Sequence, residues 1–215
     1  KTAGGIVFVV GVLMAVAALG VEVGPMMAAL GAGGFIVGFA LQETLGSFAS
    51  GLMIMVNRPF DVDDYVSVAG VEGKVQEMSL VSTTLLTIDN KVVVIPNKKA
   101  WGDTITNYSA KDTRRIDLVI GVGYGDAIHQ ARDIMMGVLE ADDRVLSDPA
   151  PAVMLLELGA SSVDFAVRPW VNSADYWATR AAVLERIKNA LDENGLSIPY
   201  PQQDVHIVSS VAAQV

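Results

Sequence analysis

Two long stretches near the start of this chain are almost free of charge, and nothing else in the sequence restricts the fold as strongly. Residues 1–57 hold three charged side chains, Lys1, Glu22 and Glu43; the other 36 lie in the 158 residues from Arg58 onward. Residues 4–21 carry no charge and would reach about 27 Å as a helix, near the thickness of a bilayer's hydrocarbon core. A cleaved signal peptide is the rival reading. It is disfavoured because the chain opens on Lys1 rather than Met and a second apolar stretch follows at once. The missing Met leads us to expect further membrane helices upstream. The mean hydropathy of +0.43 therefore averages two unlike parts, a membrane part and a globular part that is about 23 % charged with a net charge of −8.

The second stretch, residues 26–56, follows Pro25, which suits a first helical turn. Its first half is rich in Gly and Ala. Gly31, Gly34 and Gly38 mark one face, and Ala28, Ala32 and Ile36 another. Small residues allow close helix approach in lipid. Two such faces on one helix suit a helix flanked by two copies of itself in a closed ring. Phe35 and Phe39, four apart, share a further face. In a ring they would form a two-layer apolar constriction; in an ordinary fold they would pack in a core, and spacing does not separate these readings. Gln42 and Glu43 follow. A carboxylate within an apolar stretch faces a partner, a cavity or water, or else marks the helix end. Break signals at Gly46, Ser47, Ser50 and Gly51 predict a bent helix whose second half, about residues 44–56, lies along the membrane surface.

From Arg58 the pattern changes. Residues 65–68, 73–77, 82–88 and 91–95 read as strands, with a hairpin at Asp89-Asn90 and a turn bracketed by Gly70 and Gly73. Residues 115–120, 152–158, 163–170 and 204–208 read as strands too. Residues 126–139 and 174–194 read as helices, the second with Trp177, Leu184, Ile187 and Leu191 on its apolar face and Gly195 as its stop. That order, β-α-β-β-α-β, is a split βαβ sandwich. Lys98 and Lys99, after Pro96-Asn97, could meet lipid headgroups or line an ion path, but two lysines on a loop are usually solvated.

Several functions are excluded or weakly supported. With 15 basic against 24 acidic residues and a pI near 4.6, the chain lacks the basic footprint of a nucleic-acid binder. With no cysteine it has neither disulfides nor thiolate metal sites. The Gly121-Val-Gly-Tyr-Gly-Asp126 run lacks the dinucleotide spacing, and Asp126 reads as a helix N-cap. His129 and His206 have no metal-motif partner. Glu140, Asp142, Asp143 and Asp148 do not match a calcium loop. No serine stands in a nucleophile elbow. We therefore expect no catalytic residues, cofactor or metal, and no enzyme.

GGFIVGFALQ, Arg58-Pro59-Phe60, VEGKV at 71–75, VVVIPN at 92–97, ELGASSVDFAVRPW at 157–170 and IPYPQQDV at 198–205 together resemble the MscS family of small-conductance mechanosensitive channels. The resemblance spans nearly the whole chain in order. It implies a multi-pass inner-membrane protein combining α and α+β parts. A transmembrane helix would occupy residues 1–22 and a bent pore-lining helix 25–57. A small Sm-like β domain would occupy 58–112, an α/β ferredoxin-like vestibule domain in the cytoplasm 113–203, and a last strand and tail 204–215. It further implies a homoheptamer in contact with membrane lipids. Opened by tension during hypo-osmotic stress, it would pass ions and small osmolytes through a gate at Phe35 and Phe39, where leucines are usual. Glu43 stands where glycine commonly serves as the kink, so Gly46 or Gly51 becomes the expected hinge. Ile36 replaces a small residue, which loosens or rotates the packing expected there. If Glu43 faces the permeation path, a ring of its carboxylates above a net acidic vestibule predicts weak cation preference, or less anion preference than in a relative with a basic vestibule. The alternative is a membrane-anchored ligand-binding or sensor module without conduction. It leaves the doubled small-residue faces unexplained.

Overall fold

A computed structural model of the chain describes residues 2–206. It divides into two compact units, residues 1–107 and 108–215. In the first, helix α1 (Thr2–Ala18) ends at a turn where Gly20 has φ +87°, and α2 (Gly24–Asn57) follows. Pro25 sits in the first turn of α2, as its fixed φ allows. Among the described residues α2 is the one helix with both the length and the hydropathy to cross a membrane; α1 contains a shorter apolar helix. At 34 residues α2 is about 51 Å long. The hydrogen-bonded helix continues through Glu43, Gly46 and Gly51, so the region of the expected bend does not divide it into two helices. It stops at Arg58, whose left-handed φ of 46° turns its N–H back to the Ile54 carbonyl at 2.8 Å.

Five short strands complete this unit: β1 (Tyr65–Val68), β2 (Val71–Met78), β3 (Ser82–Leu86), β4 (Val92–Pro96) and β5 (Ile105–Asn107). They form one antiparallel sheet in the order β4-β3-β2-β1-β5. Short helix α3 (Asn97–Gly102) links β4 to β5. The Asp89-Asn90 hairpin joins β3 to β4 as expected, with Asn90 at φ +65°. The β1–β2 turn is the pair Ala69-Gly70, both at positive φ, a combination that matches the twist of the flanking strands. Gly73 is not a turn residue: it lies inside β2, where a Cβ would come 2.7 Å from the Leu86 carbonyl of β3. The core joins Val66, Val68, Val75 and Leu85 of the sheet to Phe60, Ala100 and, from α2, Ile54. The lower end of α2 is thus part of the β-domain core.

The second unit contains β6 (Thr113–Arg115), β7 (Leu118–Val122), α4 (Ile128–Glu140), β8 (Ala152–Leu158), β9 (Val163–Arg168), β10 (Trp170–Asn172) and α5 (Tyr176–Glu193). The single strand expected over 115–120 is two, and so is that over 163–170; β6 and β10 leave to form a two-stranded ribbon. In the remaining sheet, β7-β9-β8, β9 lies antiparallel to both neighbours, and α4 carries the chain from β7 to β8. This is the split βαβ arrangement. Of the expected last strand, residues 204–206 carry no regular structure, and 207–208 lie outside the described residues. The buried stripe of α5 is Thr179, Val183, Ile187 and Leu191, spaced four apart. Trp177, expected inside, is 60 % exposed, because a stripe through Ile187 and Leu191 leads back to Val183 and Thr179 and turns Trp177 and Leu184 outward. Gly195 at φ +73° ends the helix as expected.

Candidate functional site

Among the described residues the upper part of α2 is not buried by the rest of the chain. Every residue from 24 to 45 is exposed, although nearly all are apolar. Such a helix needs lipid or other helices around it. Phe35 and Phe39 are 67 % and 59 % exposed, and their rings meet edge to face with centroids 4.5 Å apart and planes at 79°. That geometry suits the ring quadrupoles and fixes both side chains relative to the helix. With Gly34, Gly38 and Gln42 they line an open groove of about 460 Å³. A second, almost wholly apolar cleft of about 670 Å³ lies between α1 and α2, lined by Val9, Val10, Met27, Leu30, Gly31 and Gly34, with Gly5 at its edge. A Cβ at Gly31, Gly34 or Gly38 would touch nothing within 4 Å. These glycines therefore satisfy no packing need inside one chain. Ala28, Ala32 and Ile36 are equally uncovered.

Below Leu45 the helix is clamped. Ser47, Gly51 and Ile54 are buried. A Cβ on Gly51 would lie 2.1 Å from the Leu80 carbonyl oxygen and 2.5 Å from Asn97 Nδ2. Gly51 thus permits a close approach of helix to turn. Asn97 is the centre of that contact. Its backbone N–H donates to Val81 O at 2.9 Å, its Nδ2 donates to Ser79 O at 2.9 Å, and its Oδ1 accepts from Thr83 Oγ1 at 2.9 Å. Pro96 ends β4 with φ −58° and ψ 134°, and Asn97 opens α3 directly after it.

Lys98 lies on α3 rather than on a loop and is about half exposed. Its stem crosses Gly46, where a Cβ would be 3.3 Å from Lys98 Cδ, and its Nζ meets Glu43 Oε1 at 3.0 Å. Within one chain the Glu43 carboxylate therefore has a cation beside it. The structure brings together Glu43, Gly46 and Lys98, and separately Gly51, Leu80 and Asn97. Sequence reasoning named the helix residues of both groups, and Lys98 as a possible ion-path residue, but did not pair them. Lys98 lies 55 residues from Glu43, and no local pattern connects them.

The glycine run at 121–126 is filled from within. Asp126 Oδ2 accepts hydrogen bonds from Gly123 N and Ser197 N, both at 2.9 Å. Asp126 is not the N-cap of α4, which is Ala127. Its carboxylate instead takes the amides that a phosphate would need. In the acidic loop, Asp142 is buried and bonded to Arg144 through both Nε (2.8 Å) and an NH2 group (2.7 Å), with Arg186 at 3.1 Å. The Arg144 hydrogen bond holds the Asp142 carboxyl below its ordinary value. No group of three or more metal-ligating side chains is gathered among the described residues.

Comparison with known proteins bears on both halves of the chain. The family described as the mechanosensitive ion channel β-domain matches residues 43–110, and that described as mechanosensitive ion channel MscS, C-terminal, matches residues 116–198. An uncharacterized MscS family protein of Synechocystis is 42 % identical over 203 residues, covering 94 % of this chain and 69 % of the relative. A small-conductance mechanosensitive channel of Edwardsiella ictaluri is 44 % identical over 183 residues, covering 85 % and 64 %. The chain thus spans about two thirds of the length of these relatives. The crystal structure of Helicobacter pylori MscS in its closed state superimposes with a TM-score of 0.88 at 30 % identity, over 95 % of this chain and 81 % of that one. The cryo-EM structure of Arabidopsis thaliana MSL1 gives 0.76 at 27 %, over 93 % and 74 %.

Proposed function

The chain belongs to the MscS family of mechanosensitive channels, and from that premise we propose that it forms a homo-oligomeric pore, a heptamer, gated by membrane tension at Phe35 and Phe39. The observation that carries this is the uncovered edge-to-face pair on a helix whose flanks are Gly and Ala. In a ring of copies the Gly31/Gly34/Gly38 and Ala28/Ala32/Ile36 faces meet neighbouring helices or α1. The two Phe layers then point to the axis. A narrow apolar lumen sheds water and so stops ions without a plug. Tension favours the state of larger in-plane area, and opening is a shift between populations whose energies differ by tension times that area. The lumen widens, wets, and releases ions and small osmolytes during hypo-osmotic shock.

The oligomer sits in the inner membrane with the second unit on the cytoplasmic side, consistent with the charge that begins at Arg58. Lipid chains fit the apolar cleft between α1 and α2.

Pressure-clamp recording from membrane patches lacking other mechanosensitive channels tests the reading. Suction evokes discrete currents in the wild type. Phe39→Asp wets the constriction and leaks without suction, and expressing cells grow poorly. Patches silent up to rupture, or a Phe39→Asp variant that is present in the membrane and passes no resting current, overturn it.

A further inference from the structure

We propose that Lys98 is the counter-charge of Glu43 and that the pair together sets the ion preference of the pore, leaving its lower mouth balanced rather than anionic. This rests on the channel reading above. Phe35, Phe39 and Glu43 form one row of α2 at four-residue spacing. Each step climbs about 6 Å along the axis and drifts about 40° around it. If the two Phe rings line the lumen, Glu43 stands one turn beyond them on the same side, and its side chain is 87 % exposed. It is also the sole ionisable residue in α2. Any ion leaving the constriction meets this carboxylate first.

The carboxylate does not stand alone. Lys98 Nζ lies 3.0 Å from Glu43 Oε1. Two features place it there. Gly46, one turn below Glu43, presents no side chain, and the Lys98 stem passes over that gap. The backbone that carries Lys98 is pinned one residue earlier by buried Asn97, which bonds to Ser79, Val81 and Thr83. The lysine therefore starts from a rigid point and reaches its partner over a glycine notch. An ion pair this exposed adds little to stability. Its consequence is electrostatic. Repeated around a ring, uncompensated carboxylates would concentrate cations at the mouth, and paired ones do not.

Reversal potentials of suction-evoked currents under a KCl gradient test this. Lys98→Gln frees the carboxylate and raises the K⁺ to Cl⁻ permeability ratio by about threefold or more, and Glu43→Gln frees the lysine and lowers it by a similar factor. The charge-swapped double variant, Glu43→Lys with Lys98→Glu, returns to near the wild-type ratio. Should these variants not open, Lys98→Cys is available, since the chain has no cysteine of its own. Thiol reagents bearing an ammonium or a sulfonate then place either charge at that position in a current-carrying channel, and the ratio follows the sign of the charge added. Wild-type currents with reversal potentials unmoved by Lys98→Gln, or indifferent to the sign at Lys98→Cys, overturn this inference alone. A wild type silent under suction overturns the channel reading and this one with it.

Discussion

Gly51→Ala is the sharpest test of how α2 is fastened to the β domain. The added methyl would lie 2.1 Å from Leu80 O, 2.5 Å from Asn97 Nδ2 and 2.8 Å from Leu80 C. Ordinary carbon contacts begin near about 3.5 Å, so helix and turn must separate by more than about 1 Å. Two of the three atoms are backbone, and the third belongs to an amide held by Ser79 O and Thr83 Oγ1. No flexible side chain is there to yield. Overpacking a tight contact costs about 1–3 kcal/mol, and stranding one buried hydrogen-bonding group costs about 1–3 kcal/mol more. Alanine's better helix propensity returns about 1 kcal/mol. The net loss is about 3 kcal/mol, which lowers the melting temperature by about 6–12 °C for a chain this size. Trp101, packed against the same core, reports on this unit in a fluorescence melt of detergent-purified protein once Trp170 and Trp177 are replaced by Phe. The control is Gly137→Ala in the last turn of α4, where a Cβ meets nothing within 4 Å, and it should gain up to about 1 kcal/mol. If both variants melt at or above the wild type, the close approach at Gly51 does not govern this junction.

Other substitutions test other parts of the fold. Asp142→Asn removes a buried charge shared by Arg144 and Arg186 and should cost about 1–3 kcal/mol, less than a fully buried pair because both arginines are partly solvated. Because the folded carboxyl titrates below its unfolded value, its stabilisation is complete above about pH 4 and is lost as pH falls through the lowered value. Melts between pH 7 and pH 3 should show that acid step in the wild type and a smaller one in Asp142→Asn. Thr179 is fully buried in α5 with no hydrogen-bond partner for its hydroxyl among the described residues, so Thr179→Val should raise stability by about 1 kcal/mol in chemical denaturation. Arg58→Gly relieves a left-handed φ of 46° at the end of α2 and should gain about 0.5–1 kcal/mol, read as a higher melting temperature.

The strands and helices of the globular part were legible because their signals are local. The Asp89-Asn90 hairpin, the Gly195 stop and strand β8 follow from turn chemistry and periodicity alone. Several of the misreadings share one source, contact over long sequence distance. Gly46 and Gly51 carry the residue type of a helix break, yet Lys98 and Leu80 supply the packing that a glycine admits, and the helix continues. Gly73 carries the residue type of a turn, yet the neighbouring strand's Leu86 carbonyl explains it better. Asp126 stands where an N-cap belongs, but Ser197, 71 residues away, competes for its carboxylate. Phe35 and Phe39 were the reverse case. Their i,i+4 spacing was visible at once, and within the chain both side chains are exposed rather than packed in its core.

These contacts divide α2 into two mechanical segments. Residues 24–45 touch little within the chain, so their position answers to lipid and to neighbouring helices. From Gly46 onward, Lys98, the Leu80 turn and the core around Ile54 hold the same helix to the β domain. Because the helix is unbroken between them, a displacement of the upper segment must be taken up by bending around residues 43–51 or transmitted to α3. Bending over one turn stretches few helix hydrogen bonds. Dragging α3 would strip Asn97 of its buried bonds to Ser79 and Thr83. The cheaper path is therefore a smooth bend just above Gly51, with the lower segment as its fixed end. On the proposed function, the Glu43–Lys98 pair straddles that bend, so the same motion that moves the Phe rings also alters the charge balance beneath them.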